Sequence, residues 1–124
     1  MTVADEDTHL KKFQKELNAG IVSLVLLATL AAAEEPLYGY QIAKQLEPDG
    51  EDAGPVKQGT LYPVLRSLSG AGLLASHVEP SVSGPPRRYY RITEEGRAAF
   101  AEWKQAWIRT RDFVNTALGG SKHE

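Results

Sequence analysis

The chain has no cysteine. That excludes a disulfide framework and any zinc site built on thiolates. Histidine is scarce: of His9, His77 and His123, two lie near the ends and none keeps metal-ligand spacing with another. The adjacent acids Glu34-Glu35 and Glu94-Glu95 fall at expected helix ends, where they read as boundary and capping residues and not as an acid/base pair. No glycine-rich loop joins a strand to a helix, since Gly70, Gly72 and Gly84 have the wrong setting for a phosphate cradle. The sequence therefore argues against an enzyme and predicts no cofactor and no metal. Excess positive charge is also missing, because the net charge is −2. The one long apolar run, Ala19 to Ala33, is interrupted by Gly20, Ser23 and Thr29. A bilayer span needs about 20 apolar residues, so this run is expected to be a buried helix. The charges ahead of it are mixed in sign, unlike a signal peptide, and with no cysteine the expected location is the cytoplasm, with no membrane partner.

What is present is ordinary in bulk and informative in its distribution. The length of 124 residues suits one domain with a real core. Residues 1–55 carry four basic and ten acidic side chains, whereas residues 56–124 carry ten basic and six acidic. The positive half holds the stretch around which the chain is organised, Lys57 to Leu68. There Leu61, Val64, Leu65 and Leu68 recur at i, i+3, i+4 and i+7, one face of a helix. The opposite face offers Gly59, Tyr62, Pro63, Arg66 and Gly70. Small residues with one phenol and one guanidinium suit a helix in a DNA major groove, where Arg pairs with guanine or with phosphate.

Ahead of it, Leu10, Phe13 and Leu17 mark a first helical segment, with a break or kink expected at Asn18-Ala19-Gly20 before the apolar core helix. Pro36 ends that helix. A short helix follows from Tyr38 to Leu46, with Ile42, Ala43 and Leu46 facing inward and Gln41 and Lys44 outward. Pro48 to Pro55 is a loop. Thr60 can act as the N-cap of the next helix, which would place Pro63 in its first turn, whereas an earlier start should kink the helix at Pro63; Gly72 is the expected left-handed residue that closes it.

Beyond Gly72 the period changes from helix to strand. Leu73 to Glu79 and Arg87 to Thr93 form a hairpin around Pro80 to Pro86, with Arg88, Tyr90 and Ile92 alternating with Arg87, Tyr89 and Arg91. Thr93 followed by Glu94 and Glu95 caps a final helix running to about Leu118. Its Phe100, Trp103, Trp107, Thr110, Val114 and Ala117 keep a heptad spacing. Such a helix is roughly 37 Å long, more than a domain of this size covers. A second copy is the expected partner, with Phe100, Trp103, Trp107 and Val114 in the dimer interface; the seam could also fold back on the first helices of its own chain.

The expected fold is mainly α (α+β): a winged helix-turn-helix with a long C-terminal dimerisation helix. Residues 1–93 are expected to form the DNA-binding domain with its N-terminal helix, residues 94–118 the dimerisation helix and residues 119–124 a disordered tail. In four blocks the chain also resembles the PadR-type transcriptional regulators. These are Tyr38-Gly39-Tyr40-Gln41-Ile42, Gly59-Thr60-Leu61-Tyr62-Pro63-Val64-Leu65, Gly72-Leu73-Leu74, and the segment from Pro86 through Arg97. The resemblance covers about residues 20 to 100. It implies a homodimeric DNA-binding regulator, usually a repressor, of the short form with a single C-terminal helix.

Carried over by position, the resemblance places Tyr38, Thr60, Tyr62 and Arg66 on the DNA-facing side and Arg87, Arg88 and Tyr89 on a basic wing, with Lys57 a further phosphate contact. Leu61, Leu65 and Leu68 match core positions. Ser69-Gly70 depart from the family pattern, which often has an acidic and then a basic residue there, so the end of the recognition helix should be softer. The resemblance also implies an apolar pocket at Trp103 and Trp107 for a small apolar or aromatic effector; a packed Trp–Trp dimer core is the alternative. The expected partners are double-stranded operator DNA, a second copy of the chain and that effector. The competing expectation is a winged-helix protein–protein module that binds no DNA, which the acidic first half favours.

Overall fold

The computed structural model describes residues 3–46 and 58–120. Helix α1 (Val3–Ala32) leads through strand β1 (Leu37–Tyr38) into helix α2 (Gly39–Leu46). Helix α3 (Gln58–Gly70) precedes the hairpin of β2 (Leu74–Glu79) and β3 (Arg87–Ile92), and helix α4 (Glu94–Ala117) follows. The three strands form one antiparallel sheet in the order β1-β3-β2. The fold is a winged helix-turn-helix, as the order of sequence signals implies.

The core is where the apolar stripes converge. Val22, Leu26, Leu27 and Leu30 of α1, Ile42 of α2, and Leu61, Leu65 and Leu68 of α3 meet Leu74, Tyr90 and Ile92 of the sheet. Leu26, Leu27, Ile42, Leu61 and Leu65 are fully enclosed, each contributing about 1.5–3 kcal/mol of burial. Val64 is only partly buried, at the margin of the stripe.

Four expectations need correction. The segments either side of Asn18-Ala19-Gly20 are one uninterrupted helix. A lone helical Gly costs about 1 kcal/mol, too little to interrupt a helix whose following turns, with Val22, Leu26, Leu27 and Leu30, are held in the core. The merger also changes the length argument. Asp7–Ala32 is now long and apolar enough, by composition, to cross a membrane, but its Val22, Leu26, Leu27 and Leu30 are enclosed by the rest of the fold. Helix α3 begins by Gln58, so Thr60 lies inside it and Pro63 sits in its second turn. There the proline leaves the Gly59 carbonyl without its intrahelical donor, a loss offset by the complete burial of Leu61. Gln41 turns back instead of outward, its Oε1 accepting from the Tyr38 N–H at 3.0 Å at the start of α2. The expected loop Pro48–Pro55 lies outside the described residues.

The turn chemistry is as expected. Gly72 has φ +83°. The Gly72 N–H donates to the Ser69 carbonyl and the Leu73 N–H to the Leu68 carbonyl, both at 3.0 Å, the paired bonds of a Schellman ending. Gly119 (φ +93°) closes α4 in the same way, with the Gly120 N–H donating to the Asn115 carbonyl at 2.7 Å.

One joint connects α3, the sheet and α4. The Thr93 hydroxyl accepts the Gly96 N–H at 2.9 Å and lies 2.8 and 3.0 Å from the Gly72 and Leu73 carbonyls, which share its proton. The Thr93 N–H donates to the Leu73 carbonyl at 3.1 Å. Gly96 is buried, and a Cβ there would lie 2.1 Å from the Leu73 oxygen. Gly96→Ala is therefore expected to cost about 2 kcal/mol or more, because the obstacle is backbone. Thr93→Ala should cost about 1 kcal/mol. Thermal melts followed by circular dichroism check both, and equal melting temperatures for wild type and Gly96→Ala would refute the close approach.

Candidate nucleic-acid interface

The exposed face of α3 is the one opposite its leucine stripe. Gly59, Thr60, Tyr62, Pro63 and Arg66 all face solvent. Tyr62 is set by its neighbour on α2. A Cβ on Gly39 would lie 2.5 Å from Tyr62 Cε1 and 2.7 Å from its hydroxyl oxygen. The missing side chain of Gly39 is thus the slot that receives the Tyr62 ring, and it lets the start of α2 touch α3.

The hairpin register decides which wing residues share a face. Arg88 pairs with Val78, Tyr89 with His77 and Tyr90 with Ser76, while β1 places Tyr38 opposite Tyr89. On the core side, Arg88 donates to Ser76 Oγ at 3.0 Å. On the outer side the rings form a ladder across all three strands. The Arg87 guanidinium lies 4.5 Å from the Tyr38 ring centroid. Tyr38 and Tyr89 meet edge-on at 5.3 Å, and Tyr89 stacks on His77 at 5.5 Å. His77 Nε2 in turn lies 2.8 Å from Glu79 Oε2, so His77 is a cross-strand residue of the wing.

Between α3 and the wing lies Tyr90, 5% exposed. Burial pushes its phenol above the ordinary value of 10.0, against the opposing pull of the Arg88 and Arg66 charges.

The structure divides the expected DNA-binding set. Thr60, Tyr62 and Arg66 lie on the exposed face of α3, and Arg88 lies on the same face of the sheet as Tyr90 and Ser76. Tyr38, Arg87 and Tyr89 occupy the opposite face. The two groups meet at the start of α2, where Tyr38 is followed by Gly39. Lys57 lies outside the described residues. Sequence reasoning missed Gly39, Ser76 and Tyr90. Pairing the strands by register, not only by alternation, would have brought Ser76 and Tyr90 to Arg88.

The transcriptional regulator PadR-like family model matches residues 26–102, a span from the last two turns of α1 into α4. The chain belongs to the PadR-like family. Its members are transcriptional regulators and not enzymes. It is 37% identical over 92 residues to the transcriptional regulator Rv3488 of Mycobacterium tuberculosis, covering 74% of this chain and 79% of that protein. The crystal structure of a PadR family transcriptional regulator from Eggerthella lenta superposes with a TM-score of 0.75 at 34% identity, covering 94% of this chain and 97% of the other. A PadR-like transcriptional regulator from Bacillus cereus gives 0.65 at 29% identity, covering 86% and 99%.

In this PadR-like chain α1 and α4 run antiparallel, since the Arg97 guanidinium reaches the Ala31 carbonyl while Leu17 to Leu24 lie beside Trp103 to Thr110. Between them is an apolar groove of about 470 Å³, with Leu17, Ile21, Leu24, Trp103 and Trp107 in its walls. The expected dimer seam is divided. Phe100 and Trp103 pack against the chain's own core, whereas Trp107 and Val114 are 41% and 43% exposed.

Two outcomes follow from this geometry. Gly39→Ala should displace the Tyr62 ring, which can swing into solvent, so melting should change little while the Tyr62 NMR resonances move; unmoved resonances would contradict the slot. The raised Tyr90 pKa contributes stability that is fully present below pH 10.0 and lost as pH rises through the folded value. Tyr90→Phe should therefore melt with a shallower alkaline decline than wild type, and parallel declines would show that Tyr90 is not the group responsible.

Proposed function

We propose that the chain is a homodimeric, sequence-specific DNA-binding repressor of the cytoplasm, released from its operator by a small apolar or aromatic ligand. The observation that carries this reading is the set of cations on α3 and the wing. Arg66, Arg87 and Arg88 are exposed and have no carboxylate partner among the described residues, and the family of regulators to which the chain belongs spans this whole region. In this reading Tyr62 and Arg66 enter the major groove with α3, and Arg87, Arg88 and Lys57 hold phosphates. Residues 1–93 bind DNA, residues 94–118 dimerise, and residues 119–124 are a tail outside that work. The two α3 helices of a dimer then meet major grooves about one helical turn apart.

Exposed apolar side chains support the dimer. Leu10 and Phe13 of α1 are 59% and 57% exposed, and Phe113 and Leu118 at the end of α4 are 75% and 80% exposed. Side chains of this size gain about 1.5–3 kcal/mol each when covered. The α1–α4 groove supports the effector, being apolar and within the volume range of small-molecule sites. Its ligand would shift DNA affinity only by favouring one spacing of the two α3 helices over another, and the Thr93–Leu73 joint gives α4 a rigid hold on the end of α3. A protein–protein module without DNA binding is favoured by the net charge of −2.

Fluorescence anisotropy on a duplex from upstream of the chain's own gene, against a scrambled duplex at low and high salt, separates the two readings. Tighter binding to the first duplex that weakens steeply with salt is expected. Absence of binding to either, even at low salt, would favour the protein–protein module. Arg88→Ala should weaken binding to both duplexes and lower the salt slope by about one. Planar aromatic compounds should quench tryptophan fluorescence saturably, with the effect lost in Trp107→Leu, and a diverse set that fails to quench would remove the effector.

A further inference from the structure

We propose that His77 is a positioning residue for DNA binding: it holds the Glu79 carboxylate away from Arg87, so that the Arg87 guanidinium stays on the Tyr38 ring with its donors free for a phosphate. This deepens the DNA-binding reading above and rests on it.

The hairpin register creates the need for such a residue. Arg87 and Glu79 are directly opposed at the outer end of the β2–β3 ladder. Side chains so placed start about 5 Å apart, and opposite charges there attract. Among the described strand residues Glu79 is the one acid. An Arg87–Glu79 ion pair is therefore the default arrangement, and it would put a carboxylate where a phosphate has to bind. The structure has no such pair: Arg87 is exposed and has no ion pair among the described residues. Arg91, the other outward cation of β3, stands opposite Ala75 and faces no such competitor.

Each partner is held elsewhere. Glu79 Oε2 lies 2.8 Å from Nε2 of His77, two residues back on the same face of β2. His77 is set in turn by its cross-strand partner Tyr89, on whose ring it stacks at 5.5 Å with 11° between the planes. Tyr89 meets Tyr38 edge-on at 5.3 Å, and the Arg87 guanidinium lies 4.5 Å from the Tyr38 centroid. The ring attracts the cation as a whole, so the planar donor fork of Arg87 remains for a phosphate. The ladder thus runs from Glu79 through three rings to Arg87 and parts two charges that the register sets face to face. His77 is the member that touches the carboxylate. Without it, nothing among the described residues holds Glu79 back from Arg87.

The test compares the full-length wild type with His77→Ala, His77→Gln, Glu79→Gln and the double variant His77→Ala/Glu79→Gln, by two readouts. The first is NMR of the free protein, in which the Tyr38 ring shifts the Arg87 side-chain protons. His77→Ala should return these resonances toward ordinary arginine positions as Arg87 leaves the ring for Glu79, and the double variant should keep them shifted. The second is fluorescence anisotropy on the upstream duplex and its scramble. His77→Ala should weaken binding about two- to fivefold, the strength of an exposed ion pair. His77→Gln should lose less, because its amide can still donate to Glu79. The double variant should bind like Glu79→Gln alone. That rescue separates positioning from support, since a residue that only braced the sheet, or itself touched DNA, would cost the same in both backgrounds. Equal losses in both backgrounds, no loss in His77→Ala, or unmoved Arg87 resonances would overturn the proposal while leaving DNA binding intact. Failure of the wild type to bind either duplex would overturn the DNA-binding reading itself, and the role of His77 with it.

Discussion

The Leu73 carbonyl is where the recognition helix, the wing and the long C-terminal helix are held together. Thr93 reaches it with both its backbone N–H and its hydroxyl, and Gly96 lies against it where any side chain would collide. The contact fixes where α4 leaves the sheet, and the Schellman turn just before it fixes where α3 ends. A rigid joint has consequences at both ends. At one end, α4 is aimed along α1 so that Trp103 and Trp107 stand across from Leu17, Ile21 and Leu24. At the other, the far end of α3 cannot tilt without carrying the start of α4 with it. A displacement of α4 would therefore reach α3 through the hydrogen bonds of Thr93.

The start of α2 is the complementary constraint on the other side of α3. Tyr38 supports Arg87 on the outer face of the sheet, and the next residue, Gly39, receives Tyr62 from α3. Two adjacent backbone positions thus sort the aromatic and basic residues into an outer ladder and an inner cluster. In the ladder each ring has a neighbour, so Arg87 and Tyr89 are ordered before any ligand arrives. On the inner side Arg66 has no ion pair among the described residues.

Much of this was legible in the residues themselves. The leucine stripe of α3, the hairpin, the Thr93 cap and the left-handed Gly72 are set by contacts between residues close in the chain, so periodicity and turn chemistry determine them. Their order was enough to imply a winged helix-turn-helix, and the family blocks narrowed it further. The same local reasoning failed where distant packing overrides local preference. Gly20 does not break α1, because the turns that follow it are held in the core. Pro63 does not delay α3, because Leu61 is pinned in the core.

Only the tertiary structure decided which residues share a surface. Alternation along β3 separates Arg87 from Arg88, but the pairing with β2 and β1 is what brings Ser76 to Arg88 and Tyr38 to Arg87. Gly96 and Gly39 read as unremarkable glycines in sequence, since nothing local shows that a carbonyl or a phenol will lie within bonding range of where a Cβ would be. Close approach between elements far apart in the chain is a property of the closed core, and no window of neighbouring residues contains it.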